Sequence, residues 1–442
     1  MTQRAGATQE ASYLSTFNSL ERDGFKRDPT WLRKLRVEAI AHFRDLGFPV
    51  ARRGNEEWKY TDVGPLARVP FDVPNEQQAI HVPPSEIEHH AFAGTHGSRL
   101  VFVNGRYAPE HSSIEALPPE VRLCNLRDAL KGPASRHLGK YADYEAHAFT
   151  ALNTAFVQDG VFLHVPSGTA LSAVIQLIFL STATPTDTVS HPRVLVLMDR
   201  ESVATVIESY SGPMAGRYFT NAVSEVVLGP GSRLDHYKLQ AEGAGAFHVA
   251  TTEVRQEGES RYTSLLMDHG GGLVRNNINV LLHEEGARAE LRGLYLLNER
   301  QHVDYNTFVD HAVPNTSSDE LYKGVLSGKA HVVFGGKMLV RPNAQKTTSH
   351  QVNKTLLLSE GAAVDTKPQL EIYAADVKCN HGAAIGQINR EAIFYLKSRG
   401  LDDLGARKLL TYGFVSEVPA TITHVPFRAY LEQLVHTRLR EL

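Results

Sequence analysis

Apolar residues recur on a helical period from about Thr30 to Leu46, at Leu32, Leu35, Ala39, Ile40, Phe43 and Leu46. Asp28 and Pro29 supply a start signal, and Gly47 with Pro49 a stop, so the pattern predicts an N-terminal helix. From Asp62 to Pro84 the chain is Pro-rich and irregular. Leu100 to Val103 reads as a strand running into Asn104-Gly105, residue types that suit a tight turn. A second helix is predicted from Lys140 to Val157, built on Tyr141, Tyr144, His147, Ala148, Leu152 and Phe156.

Beyond Gln158 the pattern changes to short β-rich runs, among them Val161 to Val165, Val174 to Leu180, Arg193 to Met198 and Val203 to Ile207. No helical pattern interrupts them until about Asn389. A motif recurs in this stretch: an apolar strand, a Gly-bearing turn with a small or acidic neighbour, and another strand. Its copies centre on Gly231, Gly258, Gly286 and Gly361, with weaker ones at Gly168 and Gly328. The spacing is irregular but clusters near the length of one supersecondary unit, which suggests a solenoid with turn insertions. Runs such as Ala289-Glu290-Leu291-Arg292 alternate apolar and charged positions and so have one face to bury. A β-sandwich predicts the same strands; the length without a crossover helix, together with the quasi-repeat, tilts the reading to a parallel β-helix.

Helical pattern returns at Arg390 to Lys397, which stops near Gly400. Asp402 caps a second helix through Leu409, and Pro426 opens a third with Phe427, Tyr430, Leu431, Leu434 and Leu439. The organisation is therefore helical and mixed over 1–157, β over 158–388 and helical over 389–442.

Composition narrows the function. The 442 residues are 42% hydrophobic and 21% charged, enough to bury a sizeable core. Lys plus Arg number 46 against 49 Asp plus Glu, a net charge of −3, so no excess of charge draws the chain to nucleic acid or an anionic membrane. Two cysteines, Cys124 and Cys379, cannot build a disulfide framework or a four-cysteine metal site, which fits a reducing cytoplasm. The longest apolar stretch, Ala170 to Leu180, is broken by Ser172 and Gln176 and is too short to span a bilayer. Phosphate-loop, nucleophile-elbow and zinc-peptidase motifs are all lacking; Gly270-Gly271-Gly272 leads into a strand and reads as a turn.

One constellation carries chemistry. Asp376-Val377-Lys378-Cys379-Asn380-His381-Gly382 places a thiol and an imidazole two positions apart, and on a strand residues i and i+2 share a face. Such a pair suits iron or zinc, but two ligands leave a tetrahedral site incomplete. Asp365, Glu371 and Asp376 are acidic candidates, though a soft metal prefers thiolate, and a site shared at a subunit interface explains the incomplete set better. Two other readings stand beside it: Cys379 as a small packed hydrophobe with His381 a turn residue, and a Cys-His nucleophilic dyad. Cys124 reads as packing.

Further motifs give a family resemblance. They are Asn55-Glu56-Glu57-Trp58-Lys59-Tyr60-Thr61; His311 with Ser317-Ser318 and Lys323-Gly324-Val325-Leu326; Val333-Phe334-Gly335-Gly336; and Gln351 to Ser359. Pro368-Gln369-Leu370-Glu371-Ile372, Asp376 to Ala383, Phe394 to Gly400 and Gly413-Phe414 complete the set. In content and order they resemble the SufB/SufD scaffold proteins of the Suf iron-sulfur cluster assembly machinery. The resemblance implies a mainly β fold: a right-handed parallel β-helix core flanked by N-terminal and C-terminal helical regions. It also implies a non-catalytic scaffold that pairs with a SufB-like subunit through the β-helix end and docks a SufC-like ATPase on its C-terminal helices. By carry-over, Cys379 and His381 fall at the shared interface, where a nascent iron-sulfur cluster is held transiently, and Phe394, Tyr395, Ser398, Arg399 and Gly400 fall in the region that meets the ATPase. Asn380 departs from the serine common in the family. With two cysteines the chain cannot hold a cluster alone by thiolates, so it resembles the supporting half of a heterodimer. The alternatives are a β-helix enzyme acting on polysaccharide and a standalone homodimeric metal-binding protein.

Overall fold

The structure is a computed structural model that describes residues 2–26, 28–52, 54–74, 82–92, 97–184 and 186–441. Two long sheets dominate it. One runs through the strands Gly97–Val103, Val174–Leu180, Val203–Ser211, Arg233–Ala241, Arg261–Asp268, Arg288–Leu297, Ser317–Leu326, Thr348–Leu357 and Lys378–Gly386. The facing sheet runs through Gly160–Val165, Arg193–Met198, Tyr218–Leu228, Phe247–Gln256, Leu273–Leu282, His302–His311, His331–Val340 and Ala363–Ile372. Successive strands alternate between the sheets and pair in parallel within each, forming a β-solenoid of about eight turns. Arg233, Arg261, Arg288, Ser317, Thr348 and Lys378 stand in one row across six coils.

Stacking in register makes the interior a set of ladders. Val274, Val303, Val332 and Val364 form one, and Val280, Val309, Met338 and Leu370 another. Branched side chains fill such columns because each repeats the pleat of its neighbour. The larger tyrosines need a vacancy alongside. Tyr322 lies in register with Gly293 and Tyr295 with Gly324, and a Cβ on either glycine would drive into the neighbouring ring.

Each sheet's outer face is covered by one helical region. Phe71, Trp58, Phe149 and Phe156 join Phe43 from the helix Thr30–Leu46 in a cluster that reaches Phe219 and Val249 on the second sheet. Val418, Phe427, Leu431 and Val435 of the C-terminal helices pack on Tyr237, Leu265, Leu294 and Val325 of the first. The Phe427 ring stacks on Tyr237 with centroids 4.9 Å apart. Among the described residues no helix is long and apolar enough to cross a bilayer.

The expected helix Thr30 to Leu46 and the four quoted strands are present, as is the hairpin at Asn104-Gly105, both residues having positive φ. Five details differ. The helix expected from Lys140 begins only at Ala148, because the Glu225 carboxylate accepts from the backbone N–H groups of Gly139, Tyr141 and Ala142 and holds that segment in turns. In the Gly258 copy of the turn motif the left-handed residue is Glu259, and Gly361 does not have positive φ. The helix capped by Asp402 continues to Val415, and a helix at Thr2–Asp23, unforeseen in that polar segment, precedes the rest.

Candidate functional site at the open end of the solenoid

The last coil is formed by Ala363–Ile372 and Lys378–Gly386, and each of these strands is hydrogen-bonded in its sheet on one side only. Elsewhere, positions that face the solenoid interior are covered by the next coil. Here both faces end in solvent from Asn380 to Gly386, and Ile372 and Tyr373 beside them are exposed as well. An apolar edge of this length, with unpaired backbone groups, is a template for pairing with another chain.

Cys379 and His381 lie on this edge strand. Cys379 stands in register with Ser349, and His381 with Gln351. The thiol side is half-buried against a small cluster of Met338, Val340, Ala344 and Ala374. Burial pushes the Cys379 thiol up, and a hydrogen bond from the Ser349 backbone partly offsets it. His381 is exposed and makes no side-chain hydrogen bond among the described residues. The structure thus places the two residues on one strand at the open mouth. Among the described residues it assembles no group of three or more His, Cys, Asp or Glu side chains suited to a metal, so Asp365, Glu371 and Asp376 do not complete a site with them.

Two buried polar columns run inward from this pair. Behind Cys379, the Ser349 and Ser318 hydroxyls are 2.5 Å apart, and the Ser318 hydroxyl meets His311 Nε2 at 3.0 Å. Thr316 engages His311 Nδ1 at 2.8 Å, and burial lowers this imidazole to about 4. Behind His381, Gln351 Nε2 donates to Glu320 Oε1 at 3.1 Å, and the Thr307 hydroxyl donates to Glu320 Oε2 at 2.8 Å. Burial raises the Glu320 carboxyl to about 7, with both hydrogen bonds opposing. Gly336 makes room for Gln351, whose carboxamide a Cβ there would displace.

The chain matches the family model described as SUF system FeS cluster assembly, SufBD core domain, over residues 179–414, and the SufBD protein N-terminal region over residues 7–177. It belongs to the SufBD family. Similar curated relatives include an iron-sulfur cluster assembly SufBD family protein of Synechocystis, 34% identical, covering 87% of this chain and 86% of the relative. The iron-sulfur cluster assembly protein SufD of Escherichia coli is 30% identical, covering 94% of each chain, and SufD of Bacillus subtilis is 24% identical, covering 98% of each.

The other residues singled out within this SufBD chain form a separate surface. Phe394 and Tyr395 lie on the helix Arg390–Ser398, 75% and 56% exposed, with Leu404 and Leu409 of the next helix also exposed. Arg399 extends over the Tyr395 ring at 5.2 Å, Ser398 Oγ donates to the Tyr395 carbonyl at 2.6 Å, and Gly400 takes the positive φ that ends the helix. Among the described residues no hydrogen bond joins this surface to Cys379 or His381.

The motif Asn55 to Thr61 acquires a role that the sequence did not disclose. It clamps the N-terminal region to the solenoid through Arg275, a fully buried guanidinium. Arg275 donates to the Glu57 carbonyl at 2.9 Å and to Asp304 Oδ2 at 2.5 Å, and lies 3.8 Å from the Trp58 ring centroid. A cleft of about 410 Å³ beside the clamp is lined by Asn277, Asn279, Asn306 and Gln369. Its two cations are engaged, Lys337 with Glu371 at 2.8 Å and Lys367 with the Glu56 carbonyl. The cues that point to the buried groups are polar residues at inward positions, as at Glu320 and Gln351. No alternation rule says which partner each will meet.

Proposed function

We propose that the protein is a scaffold subunit of an iron-sulfur cluster assembly complex and uses its open solenoid end to pair with a SufB-like subunit. The single observation that carries this is the exposed edge strand Lys378–Gly386, apolar at Ile385 and flanked by Ile372 and Tyr373. A second solenoid would extend both sheets there and satisfy the unpaired backbone groups by strand addition. Cys379 and His381 then contribute one thiolate and one imidazole to a nascent cluster, and the partner completes the ligand set. The raised thiol favours the protonated form in the free subunit, so ligation waits for iron or for the partner's charges.

The helical surface of Phe394, Tyr395, Ser398, Arg399 and Gly400 is where a SufC-like ATPase docks, with aromatic rings and one guanidinium as anchors. Nucleotide binding by the ATPase can move the scaffold only through a difference in affinity between two arrangements. Hydrolysis belongs to that partner, and this chain works in the cytoplasm, holding the nascent cluster only transiently and shared with its SufB-like partner.

The test combines capture with cluster yield. Tagged protein is expected to bring down a SufB-like subunit and an ATPase. Ile385→Asp, which places a charge on the free edge, should abolish capture of the SufB-like subunit while changing monomer stability by no more than about 0.5 kcal/mol. His381→Ala should leave the complex assembled and reduce the cluster formed on it. Undiminished capture by the Ile385 variant, or full cluster yield without His381, would overturn the respective half of the proposal.

A further inference from the structure

On the outer face of the second sheet, His302 and His331 are register neighbours on adjacent strands, and their Nδ1 atoms are 3.1 Å apart. The far nitrogen of each ring is fixed by a different partner. His331 Nε2 lies 2.8 Å from Asp365 Oδ2, so it carries the proton and donates it. His302 Nε2 lies 3.0 Å from the Thr61 hydroxyl, whose own proton goes to Asp304 Oδ2 at 2.5 Å. Asp304 is paired with Arg275 and accepts, so Thr61 can only accept from His302, and this Nε2 is protonated as well. Both Nδ1 atoms are therefore left with lone pairs, 3.1 Å from one another.

Two lone pairs this close repel unless both rings share a cation. We infer that the His302–His331 pair is a binding site for a borderline divalent transition-metal ion such as zinc. Two metal–imidazole bonds of about 2.05 Å place their nitrogens about 2.9 Å apart at a right angle and about 3.3 Å apart at the tetrahedral angle. The observed 3.1 Å falls between these limits. Imidazole is a ligand for such ions, and a ligating imidazole characteristically donates its other N–H to a carboxylate or another acceptor, as both rings do here. Two protein ligands make an open site. The His331 and Asp365 side chains are 29% and 37% exposed, so water can reach the remaining positions.

The placement gives the ion a structural consequence. Thr61 ends the Asn55 to Thr61 clamp, His302 and His331 lie on neighbouring strands, and Asp365 lies on the last strand of the sheet. A bound ion would tie the N-terminal region to the final coils of the solenoid. The site is separate from Cys379 and His381, which lie on the other sheet.

The experiment uses full-length, metal-stripped protein in which Cys124→Ser and Cys379→Ser remove the thiols. Calorimetric titration with Zn²⁺ should show one equivalent bound, and saturating Zn²⁺ should raise the thermal midpoint, since a ligand for the native state stabilises it. Cobalt in place of zinc should give the visible bands of a nitrogen and oxygen environment. His331→Ala should lose both the equivalent and the thermal shift. Asp365→Ala keeps both rings and should weaken binding 10- to 100-fold, the usual cost of losing an outer partner. If the parent binds no more zinc than His331→Ala, the rings share only a proton and the inference is overturned. Should His331→Ala fail to fold, the Asp365 arm decides, because unchanged affinity there overturns the tautomer argument.

Discussion

Glu320 offers a quantitative handle on the interior behind the site. Its carboxyl is buried, and desolvation raises it from an ordinary 4.5 to about 7 against the opposing Thr307 and Gln351 hydrogen bonds and the weaker pull of Arg292. In the unfolded chain the proton leaves near pH 4.5; in the native protein it stays until about pH 7. Between those limits the native state binds more protons, so the stability that Glu320 contributes is complete below about pH 4.5 and is lost as pH rises through 7. At 1.36 kcal/mol per pH unit this amounts to about 2 to 3 kcal/mol between pH 5 and 8. Glu320→Gln removes the titration and preserves the shape. Thr307 can still donate to the amide oxygen, and Gln351, whose Oε1 has no partner among the described residues, can turn that oxygen towards the new NH₂. Urea unfolding of both proteins across pH 5 to 8 gives the difference directly. Other buried carboxyls raised in the same way, such as Asp268, are common to both proteins and cancel. The wild-type advantage should shrink by about 2 to 3 kcal/mol over that interval. A difference constant to within about 0.5 kcal/mol would refute the burial argument, since no proton would then be linked to folding at this residue.

Two further outcomes test the scaffold. Gly324→Ala drives a Cβ into the Tyr295 ring, which is held by Asn353 and Thr355, and should lower unfolding stability by about 1 to 3 kcal/mol with loss of near-ultraviolet tyrosine signal. Arg275→Ala strands Asp304 without its cation and opens the Trp58 contact; destabilisation of about 3 to 5 kcal/mol is expected, together with proteolysis near Glu57 before the solenoid is cut.

The strands after Gln158 were legible because inward and outward positions alternate, and Thr30 to Leu46 because its apolar stripe has a start and a stop. Lys140 to Ala146 misled because its periodicity is helical, while a distant carboxylate, Glu225, captures its backbone donors. The turn period was blurred because Glu201, Glu259, Glu299, Asn315 and Lys346 hold the left-handed position in some turns and glycine in others. Cys379 and His381 could be paired by spacing alone, but the spacing did not say that their strand is the last of its sheet.

The order of residues by itself determined that this chain is a long run of strands with helices at both ends, because pleat alternation and capping act over a few residues, while the quasi-repeat only tilted that run towards a parallel stack. It also limited the thiols to two, so a complete thiolate cluster site was excluded from the start. Only the tertiary structure decided which strands lie at the exposed edge, that Arg275 meets Glu57 and Asp304, and that His302 faces His331. Those contacts join residues from 29 to 218 positions apart, and their geometry is set by how the coils stack and where the stack ends.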